Sequence, residues 1–362
     1  MKFLIVGGGT GGHVIPALAV ANELRRRGHD PFFAGTAGGL EARLVPAAGF
    51  RIEWIAIGGL NRVGAAQMLR TLRQLPLSTL HLAGAMKGWR PDAVFSMGGY
   101  VAGPVVLAAS LRRIPIVLME PNAVPGMTNR WMGRLAARAL INFEETARFF
   151  PPGKSELTGV PVRPEFFALA PKPPGEAFTV LITGGSRGSR TLNQAARASW
   201  PLFLAGKIRV RLIHQTGQET HAALAKEFAE TGLDGRVVPY LDDMAASFAE
   251  ADLVVCRSGA GAVAEVAAAG KPSILVPFPF ATDDHQRRNA EVLSRAGAAR
   301  LAADREFDGR RFVQEVTALA ADPGELRRMG EAARRFAHPF AAGRAADAIE
   351  EAAARGRFPL TS

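Results

Sequence analysis

The chain has 362 residues, a formal net charge of +11 and a single cysteine, Cys256. That length admits two domains of ordinary size, and one thiol excludes a disulfide framework and suits a reducing compartment. No apolar run reaches the roughly 18–20 residues that a bilayer span requires, and the opening apolar run lacks the pattern of a secretory signal. Residues 1–165 carry 19 Lys and Arg against 10 Asp and Glu, a net of +9, whereas the remainder carries 25 against 23. Nucleic acid, an anionic membrane face or a phosphorylated substrate fits a basic N-terminal half, and so does plain solvation by arginine.

In chain order, Phe3-Leu4-Ile5-Val6 predicts a first strand that runs into Gly7-Gly8-Gly9-Thr10-Gly11-Gly12-His13. Such a strand, glycine loop and helix start presents bare N–H groups and a positive dipole end to an anion. The G-x-G-x-x-G spacing of Gly7, Gly9 and Gly12 is weak by itself. A nicotinamide site also wants an acid closing the second strand, but Phe32-Phe33-Ala34-Gly35-Thr36 has none before Glu41, which argues against a dehydrogenase. His13 opens the helix, where the dipole disfavours imidazolium. A neutral imidazole there suits either a general base near pH 7 or a helix cap.

Arg25-Arg26-Arg27 followed by Gly28 predicts a helix stop, with cations in the last turn and glycine at the cap. Further strands are expected near 31–34, 52–55, 93–96, 115–118 and 139–141. From Trp54 to Pro91 the chain has Arg62, Arg70, Arg73, Lys87 and Arg90 and no acid. Met68, Leu72 and Leu75 share a helical face there, and Leu77, Leu80 and Leu82 follow Pro76. This reads either as a helix lying on an anionic membrane or as an amphipathic helix facing a core. Without aromatic interleaving it offers no nucleic-acid platform.

The proline-rich stretch from Val160-Pro161 to Pro174-Gly175 suits a linker. Thr179-Val180-Leu181-Ile182 then repeats the opening plan, with Gly184-Gly185-Ser186-Arg187-Gly188 as its loop. Strands are expected near 178–182, 208–213, 236–239, 252–255 and 273–276, and an Ala-rich helix with Glu350 and Glu351 follows His338-Pro339. Two such starts half a chain apart predict an α/β protein of two nucleotide-fold domains facing one another. A third passage, Leu253-Val254-Val255-Cys256 into Arg257-Ser258-Gly259-Ala260, carries Glu265, which either complements a helix dipole or holds two ribose hydroxyls. Gln286 and Asn289 share a helical face that suits sugar hydroxyls or simple solvation. No metal or cofactor is expected: Asp242-Asp243 and Asp283-Asp284 are adjacent pairs, so their side chains diverge. A departing diphosphate then falls to helix dipoles, N–H groups and arginines.

Taken in order, Gly8-Gly9-Thr10-Gly11-Gly12-His13, Met97-Gly98-Gly99-Tyr100-Val101-Ala102-Gly103-Pro104, Pro161-Val162-Arg163, Gly184-Gly185-Ser186, Cys256-Arg257-Ser258-Gly259-Ala260 and Asp284-His285-Gln286 resemble the MurG family of peptidoglycan glycosyltransferases. The resemblance spans essentially the whole chain. It implies the GT-B fold, two Rossmann-like domains facing across a cleft. It also implies inverting transfer of N-acetylglucosamine from UDP-N-acetylglucosamine to the 4-hydroxyl of undecaprenyl-diphospho-N-acetylmuramoyl-pentapeptide, on the cytoplasmic face of the cell membrane.

By resemblance, Thr10, Gly11 and Gly12 meet the donor sugar, and His13 is the base for the acceptor hydroxyl. Asn122, Arg163 and Ser186 contact the donor's sugar and diphosphate. Leu241 borders the uracil, Glu265 holds the ribose, and Gln286 holds the sugar hydroxyls. Tyr100 and Glu120 lie on the acceptor side. Residues 1–164 form the acceptor and membrane-facing domain, with 340–362 packing back on it, and 165–339 form the UDP-sugar domain. Some positions depart from the family pattern: Met119 replaces a His, Val160 an Asn, Arg187 a Gln and Ala262 a Thr. The other readings are a glycolipid transferase of the same architecture with another acceptor, and an inactive nucleotide-binding scaffold of cell-wall assembly.

Overall fold

The computed structural model describes residues 1–9, 11–55, 65–170, 172 and 177–357, the side chains of 65–74 and 357 excepted. Thr10, Arg62 and the side chains of Met68, Arg70, Leu72 and Arg73 therefore lie outside the described residues. The chain divides into two compact units, Met1–Pro161 with Phe340–Ser362, and Val162–Pro339.

The first unit alternates strands and helices. They are β1 (Lys2–Val6), α1 (Gly11–Arg26), β2 (Asp30–Gly35), α2 (Glu41–Ala47), β3 (Ile52–Trp54), α3 (Ala65–Trp89), β4 (Ala93–Ser96), α4 (Ala102–Leu111), β5 (Ile116–Glu120), α5 (Met127–Met132), β6 (Arg138–Ile141) and β7 (Ser155–Leu157). All seven strands pair in parallel, in the order β3-β2-β1-β4-β5-β6-β7. Strand side chains alternate between faces, so a sheet covered by helices on both sides is apolar throughout. Phe3 and Ile5 pack on Val14, Ala17, Val20 and Leu24 of α1. Leu4 and Val6 turn the other way, onto Val105, Val106 and Ala109 of α4 and Leu82 and Met86 of α3.

The α1 stop is as expected. Gly28 sits at φ +82°, its N–H donating to the Arg25 carbonyl at 3.0 Å and that of His29 to Leu24 at 3.1 Å. This is a Schellman close.

The second unit repeats the plan with β8 (Phe178–Thr183), α6 (Arg190–Leu204), β9 (Val210–Gln215), α7 (Gln218–Thr231), β10 (Gly235–Val238), α8 (Met244–Glu250), β11 (Leu253–Cys256), α9 (Ala260–Ala269), β12 (Ser273–Leu275), α10 (His285–Arg295), β13 (Arg300–Leu301), α11 (Gly309–Ala320) and α12 (Pro323–Arg334). Its parallel sheet runs β10-β9-β8-β11-β12-β13. Val180, Ile182, Leu212 and Val255 are buried against Trp200 and Phe203 of α6 and Phe312 and Val316 of α11. Of the stretch read as a linker, the described residues from Val162 onward belong to this unit. Phe166 buries its ring edge-on against Phe248 at 5.1 Å, and Lys172 is ion-paired with Asp252.

The last helix, α13 (Ala341–Arg357), belongs to the first unit. Ala345, Ala346 and Ile349 join the α1 core, and Arg27 reaches Asp347 at 2.6 Å and Glu350 at 2.9 Å. Two strands, β7 and β13, lie beyond the sequence expectation. They are three and two residues long at sheet edges, too short and too polar for period-2 patterning to mark.

Candidate active site

Each sheet has its switch point at its first strand, where β1 lies between β2 and β4, and β8 between β9 and β11. Ligands of open parallel sheets bind outside the carboxyl ends of the strands at such points. The described candidates, Arg163 apart, gather at those ends. Gly11, Gly12 and His13 follow β1, Tyr100 follows β4, Glu120 closes β5 and Asn122 follows it. Ser186 follows β8, Leu241 follows β10, Glu265 lies on α9 after β11, and Gln286 lies on α10 after β12.

In the first unit one N–H of the glycine loop is taken by a carboxylate of the protein itself. The Gly9 N–H donates at 2.9 Å to the carboxylate of Glu41, the first residue of α2. Thr36 donates to the same carboxylate through its N–H at 3.1 Å and its hydroxyl at 2.8 Å. Burial raises the Glu41 pKa, but the donors of Gly9, of its own amide and of Thr36 outweigh it and hold the carboxyl below the usual range. His13 lies beside the β4 loop, where a methyl group on Gly99 would stand 3.7 Å from its Nδ1. Gly98 and Gly99 both have φ near +80°, and a side chain on Gly98 would strike Asn129. Glycine is therefore needed at this turn. Tyr100 closes the other side, its ring against Gly9 and its hydroxyl 3.3 Å from Thr36 Oγ1.

Glu120 is 2% exposed and organises the loop after β5. It accepts from the Asn122 N–H at 2.9 Å, the Asn122 amide at 3.0 Å, the Asn129 amide at 3.0 Å and the Gly126 N–H at 3.2 Å. Burial outweighs these donors and pushes its pKa up to about 7. The Asn122 amide, expected on the donor's sugar and diphosphate, is engaged with Glu120. Met119 is fully buried in β5 and contributes its carbonyl to Asn129.

In the second unit Arg163 lies 3.4 Å from Glu265 and 5.0 Å over the Phe166 ring. Burial raises the Glu265 pKa, partly offset by the Arg163 charge. Ser186 and Arg187 are exposed at the tip of the β8 loop. Below them Gln215, 1% exposed, donates to the Gly185 carbonyl at 2.8 Å and accepts the Leu241 N–H at 3.2 Å. One carboxamide thus ties the loop of Ser186 to Leu241. Gln286 accepts the Phe278 N–H at 3.0 Å with its side-chain oxygen. Its amide nitrogen faces the start of α9, 4.0 Å from where a Gly259 methyl would be. Asn289 is not available to a sugar: it is fully buried and donates to the Ser258 carbonyl at 3.1 Å. Burial pushes the Cys256 thiol up to about 12, the Glu265 charge adding to the rise, so it carries no chemistry at neutral pH.

Sequence reasoning missed Glu41, Gln215 and Arg257. Glu41 was visible as the first acid after the second strand. Gln215 is a polar end to the apolar Leu212-Ile213 run and gave no local signal. Arg257, 12% exposed, pairs with Asp304 at 2.5 Å and donates to the Val276 and Pro277 carbonyls at 3.1 Å, locking the loops after β11 and β12 together. Among the described residues no group of three His, Cys, Asp or Glu has metal-binding geometry.

Residues 3–141 match the glycosyltransferase family 28 N-terminal domain, and residues 179–351 match its C-terminal domain. A protein of Solibacter usitatus named UDP-N-acetylglucosamine–N-acetylmuramyl-(pentapeptide) pyrophosphoryl-undecaprenol N-acetylglucosamine transferase is 60% identical, over 97% of this chain and 96% of its own. One of the same name from Nitrosococcus oceani is 43% identical over 98% and 99%. The crystal structure of Acinetobacter baumannii MurG superposes with a TM-score of 0.82 at 34% identity, covering 97% of this chain and 99% of that one. With both domain matches in order and near-complete coverage of its relatives, the chain belongs to glycosyltransferase family 28, among the MurG-type transferases.

Proposed function

We propose that the protein transfers N-acetylglucosamine from UDP-N-acetylglucosamine to N-acetylmuramyl-(pentapeptide) pyrophosphoryl-undecaprenol. The observation that carries this reading is 60% identity along nearly the whole chain to a transferase of that name. The two clusters at the strand ends agree with it. The second unit is the UDP-sugar side: Glu265 takes the ribose hydroxyls, Leu241 borders the uracil, Arg163 and Ser186 take the diphosphate, and Gln286 takes the sugar hydroxyls. Asn122 adds a contact to the donor, and Gly11 and Gly12, with Thr10, line the path of its sugar. Tyr100 and Glu120 serve the acceptor side.

His13 removes the proton from the acceptor's 4-hydroxyl as that oxygen bonds to the anomeric carbon. The bond from that carbon to the diphosphate oxygen breaks on the opposite face, and configuration inverts. The charge growing on UDP is met by Arg163 and by N–H groups at helix starts, which act most strongly on charge that develops during reaction.

The acceptor's lipid calls for a membrane surface, and the first unit is suited to it from the cytoplasmic side. Leu77 and Leu80 on α3 are 71% and 64% exposed, with exposed Lys87 and Arg90 at its end, while Leu82 and Met86 face the core. The described apolar residues of α3 thus divide between the two readings of its sequence. Among the described residues no helix is long and apolar enough to cross a membrane. An assay of UDP release tests the whole reading. Release should require lipid-linked muramyl-pentapeptide and should not occur with diacylglycerol; release with neither acceptor would leave a scaffold.

A further inference from the structure

We infer that Glu41 is a positioning residue that fixes the hydrogen-bond polarity of Tyr100, so that the phenol presents lone pairs, as an acceptor, to a hydroxyl of the bound substrate. The inference rests on the transferase reading and on Tyr100 serving the acceptor side. Glu41 is 1% exposed and fills a slot between the loop after β1, the end of β2 and the start of α2. A methyl on Gly8 would stand 2.6 Å from its Oε1, and one on Gly35 2.7 Å from its Cγ. The surrounding chain is thus shaped to admit this side chain. The carboxylate's partners are the Gly9 N–H and the N–H and hydroxyl of Thr36, all donors.

An ionised carboxylate only accepts. The Thr36 hydroxyl has one proton, and it goes to Glu41 at 2.8 Å. Toward Tyr100, 3.3 Å away, Thr36 Oγ1 can then only accept, so the phenol must donate its proton inward. What Tyr100 has left for a ligand is its lone pairs. The same carboxylate holds the Gly9 N–H at 2.9 Å, so the loop that carries His13 and the polarity of Tyr100 share one anchor. Donors holding the Glu41 pKa below the usual carboxylate range keep that anchor charged at neutral pH.

Glu41→Gln keeps the shape but adds an N–H₂ that must meet either Gly9 or Thr36. Meeting Thr36, it also faces the Thr36 N–H and reverses the chain, so that Thr36 donates to Tyr100 and Tyr100 donates outward; meeting Gly9, it releases the loop that carries His13. Misplacing a reacting group by about 1 Å can cost about 100-fold in rate. Turnover of Glu41→Gln should therefore fall about 10–100-fold while its UDP-N-acetylglucosamine Kd stays within twofold of wild type. Thr36→Val and Tyr100→Phe should each lower turnover, and the double variant should be no worse than the poorer single one. Glu41→Gln that folds, by circular dichroism, and turns over within twofold of wild type would overturn the inference, as would an equal loss of donor affinity. Should Glu41→Gln not fold, independent, multiplying losses in the Thr36 and Tyr100 pair would overturn it. Failure of the wild-type chain to transfer at all would instead sink the functional reading beneath it.

Discussion

In the first unit the loops at the strand ends are anchored by buried carboxylates, Glu41 under Gly9 and Glu120 under Asn122 and Gly126. In the second the corresponding anchors are carboxamides, Gln215 under Gly185 and Leu241 and Asn289 under Ser258, with Arg257 between the loops. Yet the two glycine loops begin alike in sequence. The charged Glu41 anchor repels a second anion, which agrees with the proposal that its loop handles a sugar hydroxyl and a proton. A neutral anchor topped by exposed Arg187 leaves the loop open to a diphosphate. The glycines therefore specify a close backbone approach, and on the proposed function the charge beneath them is what separates the two loops' tasks.

His13→Ala should produce the largest effect. Loss of a positioned base costs about 10²–10⁴-fold in rate, and because the role proposed for His13 is toward the acceptor's hydroxyl, UDP-N-acetylglucosamine should bind as before. Single-turnover rates alongside calorimetric titration of the donor would separate the two. A variant that keeps its rate and loses donor affinity would erase the division of labour between the units.

The carboxylate anchors also predict a pH dependence that carboxamides cannot give. Folded, Glu120 keeps its proton up to about pH 7, against about 4.5 for the ordinary group. Between those values the folded state binds more protons than the unfolded one, so stability is highest at the acid side of the window and falls as pH rises through it. At about 1.4 kcal/mol per pH unit of displacement, the fall amounts to about 3 kcal/mol. Urea denaturation at pH 5 and pH 8 should show it, and Glu120→Gln should flatten it. An equal slope in Glu120→Gln would place the titration elsewhere.

Most of the fold was legible because its strands are apolar on both faces and its helices end at glycines such as Gly28 and Gly270. The candidates near the glycine loops were chosen through motif order, and His13, Tyr100, Ser186, Glu265 and Gln286 all lie on the loop or helix that follows a strand's carboxyl end. The anchors were not. Glu41, Gln215 and Asn289 act through contacts with residues distant in sequence, such as Gly9, Gly185 and Ser258. A lone polar residue in a sequence looks the same whether it faces water or a buried N–H. Asn289 shows the hazard directly, since it shares helical spacing with Gln286 but faces the interior.

Glu265→Ala tests the second unit at the next level of effect. Hydrogen bonds to a charged group are worth about 1.5–3 kcal/mol, so donor affinity should weaken about 10–100-fold, with turnover at saturating donor less affected. A uracil nucleotide lacking the ribose hydroxyls should bind wild type and variant alike. If it distinguishes them, Glu265 does not read the ribose.

Arg187 offers the finest test of the contrast between the loops. It is exposed and stands beside Ser186, where the resemblance leads one to expect a glutamine. An exposed ion pair contributes about 0.2–1 kcal/mol, so Arg187→Gln should weaken UDP-N-acetylglucosamine binding by no more than about fivefold at low salt. Screening shortens the reach of such a charge to about 3 Å at 1 M ionic strength, so the two proteins should converge there. Equal affinities for wild type and Arg187→Gln at low salt would mean that the second loop gains nothing from its cation, and the charge contrast would then rest on the anchors alone.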